Sequence, residues 1–199
     1  MTSILFIDCE TSDLLKRDRP LDDPSQPWAV SIAAQLVIDG TESDFFHLHI
    51  KAEGRQVRAG AEAVHGISTR LAAKRGLSEV AALGVLCGLA AQAEMVVGHG
   101  IDFDRQIIEG MLLRRGKETK LWTRPGLEFA DTMKAATPFC RIEADREDGS
   151  FKWPSLDEAC AILLGENPRE GTHGAWDDLQ RCRRLHAWLQ ERGAWECAA

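Results

Sequence analysis

The chain has 199 residues, 44% of them hydrophobic, which is enough for one domain with a sizeable core and cramped for two. Its formal net charge of -7 excludes an extended cationic surface that would hold long nucleic acid by counterion release, so a polyanionic substrate has to be short, gripped at an end, or recruited through metal. Six cysteines at 9, 87, 140, 160, 182 and 197 lack C-x-x-C spacing, which argues against a zinc site or a disulfide framework. With no leader-like N-terminus and no apolar run long enough to span a bilayer, the expectation is a soluble, cytoplasmic chain with no membrane partner.

In chain order, "SILFIDCET" (3–11), "WAVSIAAQLVI" (28–38) and "FFHLHIK" (45–51) read as strands, apolar and bounded by turn formers. Residues 12–27 hold three prolines and predict a loop over one end of the sheet. "DGTESD" (39–44) is a hairpin-like connection, so the second and third strands pair antiparallel. A helix over 78–93 follows, with Ser78 as N-cap and Val80, Leu83, Leu86, Cys87 and Ala90 on its apolar stripe. Then come a short strand "MVVGH", a helix near 102–115, a strand "LEFAD" (127–131) and a helix starting at Thr132 with Asp131 as its N-cap. A helix before each of these later strands implies parallel crossovers. The fold class is therefore α/β, a mixed five-stranded sheet with three antiparallel-connected strands, two parallel strands and flanking helices. Near the end, Ser155 and Glu158 form a capping box for a helix closing on Gly165, and a last helix runs over 175–192. The polar patch 141–150 reads as a mobile insertion.

The first strand ends on Asp8 and Glu10. Residues two apart in a strand face the same side, roughly 6.5 to 7 Å apart at Cα, a spacing at which two carboxylates can serve ions about 4 Å apart. In the last helix Asp178 falls within the stripe of Ala175, Leu179, Cys182, Leu185, His186 and Leu189, while Asp177 falls opposite, four residues before Arg181, as in an exposed ion pair. The same test puts Asp104 on a face with Ile107, Ile108 and Met111, and Asp102 with Arg105, Gln106 and Glu109. Four inward acids, with no inward Lys or Arg in the same segments, suit a pair of hard divalent cations, Mg²⁺ or Mn²⁺. His173 in "GTHGA" is the candidate base, since an imidazole can take a proton from water at neutral pH. Polar strand ends and helix-dipole acids remain the structural alternative.

This constellation resembles the DEDD exonucleases, a group that includes the proofreading subunit of bacterial replicative polymerases, RNase T and oligoribonuclease. "FIDCET" looks like the D-x-E-T motif, "AVHGIS" is similar to the H-G-I-S/T element beside the bound 3′ nucleotide, "VVGHGIDFD" ends on Asp104, and "HGAWDD" fits H-x-A-x-x-D. The resemblance implies an RNase H-like fold, a single exonuclease domain over 1–199, Asp8, Glu10, Asp104 and Asp178 as metal ligands, His173 as base, and Thr11, His65 and Phe103 as substrate contacts. It also implies 3′-to-5′ polarity and release of nucleoside 5′-monophosphates. The sister class places Tyr four residues before the final Asp; this chain has no tyrosine, and Gly174 stands there, so the histidine variety remains. Gly100 replaces the usual Asn of the second motif, leaving one hydrogen bond absent or met by His99, and Ser12 and Asp13 replace the familiar Gly after the first.

Three functions stay open on the sequence: a DNA 3′ exonuclease, alone or beside a polymerase; an RNA end-trimmer of the same chemistry; and a non-catalytic binding module. Homodimerisation stays open too. The basic clusters "RRGK" (114–117) and "RCRR" (181–184) are dipole partners first and modest phosphate contacts second. Trp153, Trp188 and Trp195 are read as core packing or shields of a helix face rather than base-stacking platforms. His47, His49, His99 and His186 are read as structural.

Overall fold

The computed structural model describes residues 2–144, 149–167 and 171–194. Five strands, β1 (Ser3–Thr11), β2 (Ala29–Ile38), β3 (Thr41–His49), β4 (Met95–Gly98) and β5 (Glu128–Asp131), form one sheet in the order β3-β2-β1-β4-β5. β1 pairs antiparallel with β2 and β2 with β3, whereas β4 pairs parallel with both β1 and β5. The mixed sheet expected from the connections is thus the one observed, with β1 at its centre.

The hairpin is tighter than "DGTESD" suggests. Asp39 and Gly40 both take positive φ, 47° and 77°, the requirement of a two-residue type I′ turn, so β3 starts at Thr41 rather than 45. Two helices escaped the periodicity argument, α1 (Ala59–His65) and α2 (Thr69–Arg75), because seven residues are too few to display an apolar stripe. The remaining helices are α3 (Glu79–Ala90), α4 (Ile101–Arg114), α5 (Thr132–Cys140), α6 (Leu156–Ala159) and α7 (Ala175–Gln190). α6 has the expected capping box of Ser155 and Glu158, but it widens into a π-helical turn, Cys160–Leu164, before Gly165 ends it. Residues 145–148 of the polar patch, 168–170 of the loop before α7, Trp195 and Cys197 lie outside the described residues.

The two faces of β1 meet different helices. Leu5, Ile7 and Cys9 pack with Ile101, Ile107, Ile108 and Met111 of α4, and Phe6 on the opposite face packs with Ala175, Leu179 and Cys182 of α7. α3 turns Ala82, Leu83, Leu86, Leu89 and Ala90 inward, and Val80 is exposed. Its buried stripe includes Glu79 instead; in a segment as uniformly apolar as "EVAALGVLCGLA" periodicity cannot choose the face.

Residues 12–27 do form a loop over one end of the sheet, and it is tied down. The Gln26 side chain accepts from Lys16 N–H at 3.0 Å and donates to the carbonyls of Lys16, Arg19 and Pro20. Arg114 donates to the carbonyls of Leu21 and Pro27. At Gly110 a Cβ would stand 2.7 Å from the Leu21 carbonyl oxygen, so α4 can approach the loop this closely only as glycine.

Candidate active site

β1 delivers Asp8 and Glu10 on the row continued from Ile4 and Phe6, the face that packs on α7, and Asp178 in the first turn of α7 meets them there. One carboxylate oxygen from each of Asp8, Glu10 and Asp178 lies within 4.8 Å of the others. Asp104 arrives from the other face of the sheet, at the N-terminus of α4. It is 5% exposed, and its Oδ1 accepts the Cys9 N–H at 3.0 Å, so it stands beside the trio rather than within it. Burial pushes its carboxyl up to about 7, against the lowering effect of the Cys9 N–H.

The thiols nearest these acids are no rivals as ligands. Burial raises Cys9 well above the ordinary thiol range, with Asp104 and Asp8 adding to the effect, and burial raises Cys182 likewise. The group whose ligand atoms converge is carboxylate alone, and three carboxylates at this spacing can hold a hard divalent cation of the Mg²⁺ or Mn²⁺ kind.

His173 lies against Asp178, Nδ1 to Oδ2 at 3.6 Å, and is not part of the cleft wall. Its backbone N–H donates to Val64 O at 2.9 Å, so α1 carries the segment that presents the imidazole. His65 at the end of α1 uses its whole ring on backbone: Nδ1 accepts from Ile67 N–H at 3.0 Å, and Nε2–H donates to the Thr11 carbonyl at 3.1 Å. That tautomer follows from its two partners. His65 therefore joins the end of β1, next to Glu10, to the element that holds His173. Thr11 itself follows a register shift after Glu10 and donates its hydroxyl to Asp13 O. Phe103 is half-buried in the cleft wall.

At the second motif Gly100 is left-handed, φ +76°, and its N–H donates to Asp131 Oδ1 at 2.9 Å. Asp131 also caps α5 by accepting from Met133 N–H, the role expected of it. His99 does not stand in for the missing Asn, since its ring faces Thr132 Oγ1 and the Pro154 carbonyl.

Several expectations need correction. Arg181 is 5% exposed and binds Asp157 and Glu166 rather than Asp177, so α7 does carry an inward cation, committed to its own acids. The arginines of the basic clusters are spent within the protein: Arg114 on loop carbonyls, Arg115 on Glu79 and Glu53, Arg183 on Glu42, Arg184 on Glu166. Trp188 packs edge-on against Phe139 as expected, whereas Trp153 is 55% exposed and lines the cleft of the four acids. That cleft has a volume of about 970 Å³.

A five-stranded sheet of this order, with acids gathered at the end of its central strand, defines the RNase H-like class. The chain belongs to the RNase_T exonuclease family, whose model matches residues 5–185. In structure it is similar to E. coli Exonuclease I in complex with a dT13 oligonucleotide, with a TM-score of 0.74, 17% identity, and coverage of 96% of this chain and 41% of that one. It is likewise similar to a moderately thermophilic Exonuclease I from Methylocaldum szegediense, with a TM-score of 0.73, 16% identity and the same 96% and 41% coverage. The chain thus spans less than half the length of these structures, and at such identities the likeness is one of fold. No curated protein matches it by sequence. No helix among the described residues is long and apolar enough to cross a membrane.

Proposed function

We propose that this chain is one exonuclease domain of the histidine variety, removing nucleoside 5′-monophosphates from the 3′ ends of single-stranded or frayed DNA. The observation that carries the proposal is the convergence of Asp8, Glu10 and Asp178 within 4.8 Å in a chain of the exonuclease family. DNA is favoured because the similar Exonuclease I structures are complexes with single-stranded oligodeoxynucleotides such as dT13 and dA16. The net charge of -7 suits an enzyme that grips a strand end and lets go between turnovers. Free thiols at Cys9, Cys87, Cys140, Cys160 and Cys182 suit a cytoplasmic setting.

In this reading Asp8, Glu10 and Asp178 would hold two divalent ions, Mg²⁺ or Mn²⁺, with Asp104 beside them completing the set. When bound, the ions lower the pKa of the attacking water and neutralise charge on the departing oxygen. His173 takes the water's proton on its imidazole, whose Nδ1 stands 3.6 Å from Asp178 Oδ2. Burial raises the Asp104 carboxyl to about 7, and bound cations would favour its ionised form. Phe103 packs against the terminal nucleotide from the cleft wall. Thr11 and His65 serve the substrate by fixing the backbone at the end of β1.

A 5′-labelled oligonucleotide, as DNA and as RNA, with Mg²⁺, Mn²⁺ or EDTA, tests this directly. The expected result is a ladder shortened one nucleotide at a time from the 3′ end of DNA, dependent on metal and absent in Asp8→Ala. Faster turnover of RNA would move the substrate class, and no cleavage of either polymer with either metal would overturn the proposal.

A further inference from the structure

Trp153 is a large aromatic left 55% exposed on the wall of the cleft that contains Asp8, Glu10 and Asp104. An indole in water forgoes the burial that ordinarily stabilises it, so its position asks for a ligand. Its backbone is not loose. Lys152 N–H donates to Ile142 O at 2.9 Å, His99 Nε2–H donates to Pro154 O at 3.0 Å, and Ser155 opens the capping box of α6. The ring is thus presented from a backbone held on both sides, at low cost in ordering on binding.

The loop 12–27 contributes to the same cleft. Leu14 there is 76% exposed, and Lys16 and Arg17 form no ion pair among the described residues, whereas Arg19 pairs with Asp23 and Lys134 with Asp102. The acidic chain therefore keeps two uncommitted cations in the cleft whose floor is anionic. Gln26 and Arg114 hold the loop that bears them. At about 970 Å³ the cleft is at the upper end of the roughly 300–1,000 Å³ of small-molecule sites.

The geometry points to a subsite for the strand behind the reacting nucleotide: Trp153 stacks on a base, and Lys16 and Arg17 meet the phosphates of that segment. This assignment rests on the exonuclease reading and adds where the strand lies. Stacking is tolerant of base identity, so the subsite confers grip rather than sequence choice.

Steady-state kinetics on short oligo(dT) with Mg²⁺ test it. Trp153→Ala should raise KM about tenfold, within the range of base-aromatic stacking, with kcat changed less than about threefold, and Trp153→Phe should restore most of the loss. An abasic residue moved stepwise from the 3′ end should raise the KM of the native chain sharply at one position and have no effect there in Trp153→Ala. Lys16→Ala with Arg17→Ala should make the slope of log(kcat/KM) against log salt shallower by about 1.4, two contacts at about 0.7 each. Melting temperatures within a few degrees of native confirm folding, as expected for exposed residues. A Trp153→Ala variant with native KM and the native abasic profile would overturn the subsite and leave the exonuclease reading standing. A native chain that degrades no DNA or RNA strand with either metal would remove both.

Discussion

Glu79 in the first turn of α3 is 1% exposed, and Asp104 in the first turn of α4 is 5% exposed, yet the two acids sit in unlike company. Glu79 accepts from Arg55 and Arg115, and Arg55 lies 4.2 Å over the Trp28 ring while Arg115 also binds Glu53. Asp104 has a backbone N–H from Cys9 and no ion pair among the described residues. A buried carboxylate with two guanidinium partners is electrostatically complete, and its removal harms the fold. One held by the Cys9 amide and thiol, with no cationic partner among the described residues, is expected to cost chemistry rather than the fold when it is removed.

Crossing the two acids in one pair of variants breaks or sharpens that contrast. The largest effect is expected from Asp104→Asn, a loss of at least about 10³-fold in kcat, roughly 4 kcal/mol of transition-state stabilisation, with metal-free stability unchanged or raised. Equal activity in Asp104→Asn would erase the distinction. Glu79→Gln should do the reverse: denaturant unfolding shows a loss of about 2–4 kcal/mol, below the full cost of breaking a buried pair because both arginines are partly exposed, and the folded fraction keeps its kcat.

Metal binding separates the sites next. Saturating Mn²⁺ at about 100 times its Kd should add about 2.7 kcal/mol of stability, read as a rise in Tm, to the native chain and to Glu79→Gln. The rise should vanish in Asp8→Asn. A flat Mn²⁺ titration of the native chain would count against the carboxylate cluster.

The last contrast is one of pH. Asp104 has its carboxyl raised by burial from 3.8 to about 7, so between these values the folded chain holds a proton that the unfolded chain has released. Stability from this group is full below about pH 4 and falls as pH rises to about 7, with Tm changing about 2–4 °C per kcal/mol in a chain of this size. The EDTA-treated native chain should show this decline relative to Asp104→Asn. Parallel pH curves for the two would place the ionisation elsewhere.

The contrast also marks what could be read before the structure. The same-side placement of Asp8 and Glu10 and the inward turn of Asp104 and Asp178 follow from periods of two and of 3.6, which the backbone imposes wherever the strand or helix lies. The antiparallel pairing of the hairpin and the parallel crossovers came from the connections alone. Glu79 gave no such signal, because in α3 nearly every residue is apolar and Val80 looked the better core residue. The four-residue spacing of Asp177 and Arg181 is a local fact and does not reveal that Arg181 meets Asp157 of α6 and Glu166 of the loop after it. Trp153, Trp188 and Trp195 look alike on the sequence, and of the two that lie among the described residues Trp153 lines the cleft while Trp188 packs on Phe139.

By itself, then, the sequence determined which residues share a face and in what order the strands and helices follow, since both depend on backbone geometry over a few residues. Only the tertiary structure decided what each face meets: that α7 brings Asp178 to the Asp8 side of β1, that α4 brings Asp104 round the opposite side to the Cys9 amide, and that α1 carries His173. Those contacts join residues up to 170 positions apart, Asp8 and Asp178, and their energies come from burial and charge summed over the packed whole, which no local pattern records.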